Sequence, residues 1–362
     1  MPRIALLTTN ITTGDAVSND VVGMYRALER RGATARIFAS NWSFEDPQVW
    51  PAVEIADFLR SPEDLLVYHY SMGWEYGLEL LRELPCRTSV KYHNVTPPEF
   101  FIGYSEAHEK SCREGRRLEE LARADCDLYM SASEYSSWEL LLAGTERERT
   151  FVVPPFHHID RLNSIEPDET VLDAFQDGRT NLLMVGRVFP NKGHAALIEA
   201  FAIYHHHYNS ESRLLLVGKE EDSLAGYSKE LRELVAARGL QKAVVFTGGV
   251  SDEALKAYYL VANVFVFASE HEGFCVPLVE AMAMKLPIVT YSSTAIPGTV
   301  GKAGLVWKER DPVLLAESVE RLTKDAALAE ALGRAGWQRY TEHFTNERIE
   351  ERFLAALAAC GL

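Results

Sequence analysis

Residues 264–283, VFVFASEHEGFCVPLVEAMA, contain the pattern that decides the fold. VFVFAS is a short apolar run typical of a buried strand, and PLVEAMAMK, which begins at Pro277, has the apolar character of a buried helix. Proline suits the first turn of a helix, because the amide that it lacks has no partner there. The stretch therefore predicts a strand, a glycine-containing loop and a helix in succession.

The same alternation extends through the rest of the chain. In the first half the predicted strands are RIALLTTN, ATARIFAS, LLVYHYS, TSVKYHN, CDLYMSAS and RTFVVPP. In the second half they are TNLLMVGR, SRLLLVGK, AVVFTGG, VFVFAS and LPIVTY. Short apolar strands that alternate with helices imply parallel sheets covered on both faces, so the predicted fold class is α/β with two Rossmann-like halves.

The alternation lapses around residues 154–178, a polar stretch that contains prolines and ends in a turn. We take this stretch as the linker and predict two domains, 1–165 and 166–344. The last helix, 345–362, can pack on its own domain or cross back to the first one. Its periodicity does not decide between the two.

Composition excludes several classes of protein. The 362 residues carry a formal net charge of -15, and both halves are acidic, so no nucleic-acid partner is expected. No apolar run approaches the ~18 residues that cross a bilayer, and MPRIALLTTN is interpreted as a strand and not as a signal peptide. The cysteines are scattered, which argues against disulfides or a zinc module: Cys86, Cys112, Cys126, Cys275 and Cys360. We expect a cytoplasmic protein with at most peripheral contact with the inner face of a membrane.

The loop after VFVFAS and the helix that follows it combine two carboxylates with a glycine and the amides of a helix start. Glu272 lies in the loop, and Glu280 follows about two turns down the helix. Gly273 lets the backbone approach a ligand, and the first helical amides can bind phosphate: those of Val276, Leu278 and Val279. Either glutamate alone is more often a solvated surface residue. Here both glutamates border one glycine loop that opens an apolar helix. This arrangement suits a nucleoside diphosphate sugar, with amides for the phosphates and carboxylates for the hydroxyls.

A second loop, in MVGRVFPNKGHAALIEAF, places Arg187 and Lys192 between a strand and a helix. Two cations there can hold a diphosphate and offset the charge that develops on it as a leaving group. Gly186 and Gly193 again permit close approach of the backbone. The alternative is a pair of ordinary loop cations. The loop is not a Walker loop, and GxGxxG does not occur in the chain.

Together these motifs resemble those of the family-4 retaining glycosyltransferases, which have the GT-B fold. EGFCVPLVE has the family's Glu-x7-Glu form, GRVFPNKG matches its Arg-x4-Lys phosphate motif, and TTGDAVSND resembles its N-terminal glycine loop. VSDEALKAYYLVANVFVFAS is similar to the stretch that leads to the Glu motif. The resemblance implies two parallel sheets that face each other across a cleft. It also implies that the N-terminal domain binds the acceptor and the C-terminal domain the nucleotide sugar.

The resemblance implies a role for each matching position. Arg187 and Lys192 would bind the donor diphosphate, and Glu272 would contact the sugar hydroxyls near the reacting carbon. Glu280 would hold the ribose hydroxyls. His93, in VKYHNVTPPEFF, resembles the family's cleft histidine and would lie near the sugar O6 and the reacting carbon; a structural histidine at a strand end is the alternative. The remaining donor-binding residues are Gly14, Gly186, Gly273, Phe274, Cys275, Val276, Leu278 and Val279.

Glu272, His93, Arg187 and Lys192 are therefore the candidate catalytic residues. The candidate acceptor contacts are Tyr70, Ser71 and Arg116. The chain departs from the family at two places, because Cys275 stands where glycine is frequent and Pro297-Gly298 where Pro-Glu is frequent.

No metal site is predicted. The DxD of Asp125-Cys126-Asp127 precedes a strand instead of following one, which favours a structural role at a helix end. The stretch His205-His206-His207 lies at a predicted helix end, where neighbouring side chains point about 100° apart and do not easily share one ion.

The resulting hypothesis is a retaining hexosyltransferase that needs no cofactor and no divalent metal. Its partners would be a GDP- or UDP-linked sugar donor and an acceptor hydroxyl on a glycan, a lipid-linked glycan or a small molecule. Similarity of HNVTPPEFF to bacterial surface-polysaccharide mannosyltransferases gives GDP-mannose a slight preference. The alternatives are a GT-B phosphorylase, a nucleotide-sugar epimerase and a non-catalytic nucleotide-sugar-binding paralogue.

Overall fold

The computed structural model describes residues 2–43, 46–359 and 361. The chain divides into two compact units. The first unit comprises Met1–Pro98, Ala107–His158 and Phe344–Leu362, and the second comprises Glu99–Glu106 and Ile159–His343. Cys360 and Leu362, at the end of the predicted last helix, lie outside the described residues.

The described part of the first unit contains a seven-stranded parallel sheet in the order β3-β2-β1-β4-β5-β6-β7. Its strands are β1 (Arg3–Ile11), β2 (Thr34–Trp42), β3 (Val49–Pro51), β4 (Leu65–Tyr70), β5 (Arg87–Tyr92), β6 (Leu128–Ser131) and β7 (Thr150–Val152). β1 pairs with β2 on one side and with β4 on the other, so the strand order reverses between β1 and β4. Open α/β sheets bind ligands at the carboxyl ends of the strands beside such a reversal.

The described part of the second unit contains a six-stranded parallel sheet in the order β10-β9-β8-β11-β12-β13. Its strands are β8 (Thr180–Val185), β9 (Ser212–Val217), β10 (Val244–Gly248), β11 (Val264–Phe267), β12 (Ile288–Tyr291) and β13 (Gly304–Trp307). The strand order again reverses, here between β8 and β11. The predicted α/β class with two Rossmann-like parallel sheets is confirmed.

Helices connect the strands in both units. They are α1 (Ala16–Arg30), α2 (Ile55–Phe58), α3 (Glu75–Glu83), α4 (Glu106–Gly115), α5 (Glu119–Arg123), α6 (Glu134–Ala143), α7 (Ile159–Ser164), α8 (Glu169–Phe175), α9 (His194–His207), α10 (Ala225–Ala237), α11 (Asp252–Val261), α12 (Val276–Ala283), α13 (Ile296–Val300), α14 (Pro312–Lys324), α15 (Ala326–His343) and α16 (Asn346–Ala359). Within residues 2–43, 46–359 and 361, none of these helices combines the length and the apolar character needed to cross a membrane.

The first sheet is covered by apolar clusters on both faces. Alternate side chains of β1 point to opposite faces, so that Leu7 belongs to one cluster and Leu6 to the other. The second cluster includes Met24 of α1 and Ile349 and Phe353 of α16. The last helix therefore packs on the first sheet, a choice that its periodicity left open.

Candidate functional site

The loop between β8 and α9 depends on glycine. Gly186 follows β8 with a φ of 155°, and Gly193 precedes α9 with a φ of 70°. A Cβ at Gly193 would lie 2.0 Å from the carbonyl oxygen of Ala268, just after β11. Only a residue without a side chain fits there, so the two loops that carry the sequence motifs meet at the carboxyl ends of adjacent strands.

Asn191 joins these two loops by hydrogen bonds. The side chain is buried, and its Nδ2 donates to the carbonyl oxygen of His271 at 3.0 Å. Its own carbonyl oxygen accepts from the amide of Glu270 at 2.8 Å and from Ser269 Oγ at 3.0 Å. Sequence reasoning missed Asn191, although it lies inside the Arg-x4-Lys motif. The only signal was its position between Arg187 and Lys192.

Lys192 and Glu272 form an ion pair between the two loops. Lys192 Nζ donates to Glu272 Oε1 at 2.7 Å, and the two side chains are 22% and 7% exposed. The loop around Glu272 is held by Thr294, whose Oγ1 accepts from the Glu272 amide and donates to its carbonyl oxygen, both at 2.8 Å. The carboxylate and the ammonium are thus fixed beside each other at the second sheet's carboxyl edge.

Arg187 is more exposed than this pair. Its guanidinium lies 4.4 Å from the centroid of the Phe189 ring, and its Nη1 donates to Glu221 Oε1 at 3.3 Å. The Arg187 side chain is 56% exposed, so an anion from solvent can reach it. The motif cations are therefore both paired with carboxylates, one pair shielded and the other open to solvent.

The helix of the Glu motif begins one residue earlier than predicted. Cys275, with a φ of 76°, is the N-cap, and α12 starts at Val276, so Pro277 is its second residue. The prediction of a free amide at Leu278 is wrong, because this amide donates to the Cys275 carbonyl oxygen at 3.2 Å. The side chains of Leu278 and Val279 are buried in the core.

Burial also decides the chemistry of the cysteine in this motif. It raises the pKa of the Cys275 thiol well above its ordinary range, with the charge of Glu272 adding to the effect. The thiol therefore stays protonated and is a poor nucleophile.

The Glu280 side chain is buried. Its Oε2 accepts a hydrogen bond from the hydroxyl of Tyr259, on α11, at 2.6 Å. Burial, and after it the charge of Glu280, raises the pKa of Tyr259 well above its ordinary range, so Tyr259 remains a donor. Sequence reasoning missed Tyr259 because the contact joins two helices. Phe274, in the same loop, is buried, and its carbonyl oxygen accepts from Thr299 Oγ1 at 2.7 Å.

In the first unit, Gly14 and His93 follow strands at the sheet's carboxyl edge. Gly14 has a φ of 78° in the turn before α1, whose N-cap Asp15 accepts from the Ser18 amide at 3.0 Å. The amide of His93 donates to the Tyr70 carbonyl oxygen at 2.9 Å, and its Nε2 lies 3.0 Å from His69 Nδ1.

Two of the candidate acceptor contacts hold the first unit together instead. Tyr70 is fully buried, and its hydroxyl donates to the Gly115 carbonyl oxygen at 3.0 Å, so an acceptor cannot reach it and the prediction is corrected. Arg116 donates to the Val95 carbonyl oxygen at 2.7 Å and to Glu139 Oε1 at 2.9 Å. Ser71 is half-buried.

The segments that resembled metal sites have structural contacts. Asp127 accepts from the Thr88 amide at 2.8 Å, immediately before β6. At the end of α9, His205 Nδ1 lies 3.0 Å from Ser212 Oγ, and His206 Nε2 lies 2.9 Å from the Arg238 carbonyl oxygen. Asp127 therefore contacts the backbone of β5, and His205 and His206 contact the first residue of β9 and the residue just after α10.

Comparison with known proteins finds similarity that is concentrated in the C-terminal half of the chain. Residues 173–339 match the glycosyl transferases group 1 family. The chain is similar to the capsular polysaccharide biosynthesis glycosyltransferase CapM of Staphylococcus aureus (32% identity over 170 residues) and to O-antigen chain mannosyltransferase B of Escherichia coli (29% over 172 residues). Each match covers 46% of this chain and 43% or 44% of the relative, which is less than half of the relative's length.

Similarity of structure extends over the whole chain. The crystal structure of Anabaena Alr3699/HepE in complex with UDP is similar with a TM-score of 0.78 at 16% identity, over 99% of this chain and 100% of that one. At this identity the likeness concerns the fold. Residues 173–339 thus match the glycosyl transferases group 1 family, in a chain that has the predicted GT-B fold.

Proposed function

We propose that this chain is a retaining hexosyltransferase that uses a nucleoside diphosphate sugar and no divalent metal. The observation that carries the proposal is the Lys192–Glu272 ion pair, 2.7 Å long, beside the start of α12. A cation, a carboxylate and a helix N-terminus at one strand edge supply the groups that a sugar diphosphate needs. The group 1 domain contains all three.

The donor-binding roles follow the sequence motifs. Lys192 and Arg187 bind the diphosphate, Glu272 binds sugar hydroxyls, and Glu280 binds the ribose. The Arg187–Glu221 pair supports this, because Arg187 is exposed to solvent and a diphosphate can displace the half-buried carboxylate of Glu221 at little cost. The predicted N-terminal domain, 1–165, binds the acceptor, and the predicted C-terminal domain, 166–344, binds the donor. His93 contacts the donor sugar during the reaction.

The reaction is a substitution on one face of the sugar. The bond between the anomeric carbon and the phosphate oxygen breaks, and the acceptor oxygen forms its bond on the same face. The departing phosphate takes the acceptor proton. Lys192 and Arg187 stabilise the charge on that phosphate, which is the contribution a metal would otherwise make.

The relatives support different donors. One of them is named a mannosyltransferase, which supports a mannosyl donor, while the similar structure of Alr3699/HepE contains UDP. We retain GDP-mannose as the first donor to test and a UDP-sugar as the second. The acceptor is a hydroxyl of a glycan, a lipid-linked glycan or a small molecule. The scattered cysteines support a reducing compartment, the cytoplasm, with at most peripheral membrane contact.

Thermal unfolding in the presence of GDP, UDP or ADP, with and without Mg²⁺, tests the donor site. A ligand at 100 times its Kd that binds only the folded state adds about 2.7 kcal/mol, which raises Tm by a few degrees. We expect stabilisation by GDP or UDP that does not need Mg²⁺. Absence of any shift would contradict the proposal.

The stabilising nucleotide then selects the donor for an assay of the products. Transfer with retained anomeric configuration is the expected result. Release of a sugar phosphate from a disaccharide would indicate a phosphorylase. Isomerisation of the donor sugar in the absence of an acceptor would indicate an epimerase. Nucleotide binding without turnover would indicate a non-catalytic paralogue.

A further inference from the structure

Four buried ionisable side chains meet near the carboxyl ends of β4 and β5 in the first unit. Asp20 comes from α1, His69 from β4 and Lys91 from β5, and His93 follows β5 directly. The side chains of Asp20, His69 and Lys91 are 0% exposed and that of His93 is 7% exposed. We call this group the buried charge cluster.

The cluster is arranged around one oxygen of Asp20. Oδ2 lies 3.5 Å from His93 Nε2, 3.7 Å from Lys91 Nζ and 3.8 Å from His69 Nδ1. The other oxygen, Oδ1, accepts from the Phe156 amide at 2.8 Å. The two imidazole rings stack with centroids 5.2 Å apart. Lys91 Nζ also donates to the carbonyl oxygen of Val153.

The buried charge cluster is expected to lower the stability of the core. Within the described residues, Asp20 Oδ2 and His69 Nε2 have no hydrogen-bond partner. Burying charged and unsatisfied polar groups costs stability, and apolar side chains of similar volume are often at least as stable. Such a group at the ligand-binding edge of an open α/β sheet is a candidate for a functional role.

A metal ion is the first alternative. One atom from each of Asp20, His69 and His93 lies within 4.8 Å of the others, close enough for one ion. However, the ammonium of Lys91 already faces the same carboxylate oxygen. A divalent cation would leave two uncompensated positive charges in a buried place, which is strongly unfavourable. The charges are better balanced by one carboxylate, one ammonium and two neutral imidazoles.

We propose that Lys91 and Asp20 are a buried counter-ion pair that keeps His93 neutral and in place for sugar transfer. This inference rests on the proposed function, in which His93 contacts the donor sugar. Positive charge develops on the reacting carbon in glycosyl transfer. An imidazolium nearby would oppose that charge, whereas a neutral ring can still donate or accept a hydrogen bond. Lys91, Asp20 and His69 are thus positioning residues.

The ionisation of the cluster agrees with this arrangement. Burial, and after it His69 and Lys91, lowers the pKa of His93 well below its usual range. Burial, and after it Lys91, does the same to the pKa of His69. Burial raises the pKa of Asp20 to about 6, against the opposing effect of Lys91, so the carboxylate is mostly ionised at neutral pH. Within the described residues, His93 faces the titratable groups of Asp20, His69 and Lys91.

Removing the ammonium alone should charge the histidines. In Lys91→Met the carboxylate of Asp20 loses its cation, so the pKa of the adjacent histidines should rise, because an imidazolium can replace the lost ammonium as the counter-ion of Asp20. Histidine-selective ¹⁵N NMR of the full chain without donor measures this, with signals assigned by their loss in His69→Asn and His93→Asn. We expect the pKa of His69 or His93 to rise by at least one unit.

The kinetic consequence is a pH-dependent loss of rate. Lys91→Met should lower kcat at pH 7 at least tenfold and recover towards pH 9, while the donor KM changes less than threefold. In the double variant Asp20→Asn/Lys91→Met the buried charge cluster again has no net charge. The pKa values of its histidines should therefore return to the wild-type range, and its kcat at pH 7 should exceed that of Lys91→Met. Lys110→Met, an exposed lysine on α4, is the matched control and should behave like the wild type.

The outcomes separate the two proposals. Unchanged histidine pKa values in Lys91→Met would overturn the inference, as would a loss of stability with an unchanged pH profile. Stoichiometric binding of Co²⁺ or Zn²⁺ that is lost in His69→Asn would also overturn it. If the wild type transfers no sugar, the proposed function fails, while the NMR titration still decides whether the counter-ion pair controls the histidines.

Discussion

The carboxyl edges of the two sheets use charge in different ways. In the second unit, Lys192–Glu272 and Arg187–Glu221 are ion pairs with side chains between 7% and 56% exposed. In the first unit, Asp20 and Lys91 are completely buried and neutralise each other. The more exposed pair, Arg187–Glu221, can exchange partners with an ionic ligand, because water and salt already weaken it. A buried pair cannot do so and instead sets the ionisation of its neighbours.

The largest effect is expected at the shielded ion pair of the second unit. Lys192→Ala removes the cation that would stabilise the departing phosphate, so kcat/KM should fall about 10²–10³-fold. Initial rates with the donor identified by thermal unfolding measure this. Lys242→Ala, an exposed lysine of the same unit, is the matched control and should keep the wild-type rate. A Lys192→Ala variant with wild-type turnover would remove Lys192 from the site.

A second comparison concerns the glycines that precede α9 and α1. Gly193→Ala would place a Cβ 2.0 Å from a backbone oxygen and impose a left-handed conformation on alanine. We expect a loss of about 3 kcal/mol or more in the free energy of unfolding. Gly14→Ala has the same backbone constraint but nothing within 4 Å, so it should cost only about 1–2 kcal/mol. Urea unfolding of both variants provides the measurement, and equal costs would contradict the close approach of the two loops.

His194 predicts a pH dependence of stability that originates in the second unit. Burial, and after it the charge of Lys192, lowers the pKa of His194 to about 3. The unfolded chain binds this proton at a pKa of ~6.5, so stability is lost as the pH falls from there towards 3. Between pH 7 and pH 5 the loss should be about 2 kcal/mol. His194→Asn should lack it, and parallel wild-type and variant curves of unfolding free energy against pH would refute the prediction.

The smallest effect is expected at the exposed pair. Glu221→Gln removes the carboxylate that competes with a diphosphate for Arg187, so the donor KM should fall about two- to fivefold at low salt. The difference should shrink as salt screens the pair. Glu233→Gln on α10 is the control, because its partner is Lys229 and not a motif residue. An unchanged KM in Glu221→Gln would indicate that Arg187 does not meet the donor.

Local patterns predicted most of the strands, although β3 and β13 were missed. The apolar run VFVFAS and the helix after it correspond to β11 and α12, because burial and periodicity are visible in a short stretch. The helix start was misplaced by one residue since Cys275 adopts the left-handed conformation, which few residues other than glycine favour. The same turn brings the Leu278 amide to the Cys275 carbonyl oxygen.

Contacts between distant elements could not be predicted in this way. Asn191 and His271 are 80 residues apart, and the hydrogen bond between them exists only because β8 and β11 are neighbours in the sheet. The same holds for Asp20 and Lys91, which come from a helix and a strand that the sequence does not place together. His93 was proposed from the resemblance of VKYHNVTPPEFF to the family's cleft-histidine region. The groups that surround His93 were not predicted.

The position of α16 in the first unit has a consequence for synthesis of the chain. Ile349 and Phe353 are buried in a core that begins with β1, but residues 159–343 must be made between the two halves of that core. When synthesis proceeds at roughly 5–20 residues per second, the apolar surface that α16 covers stays uncovered for about 10–40 s before α16 has been made. During that time the second unit can fold, while the first exposes a binding surface for chaperones.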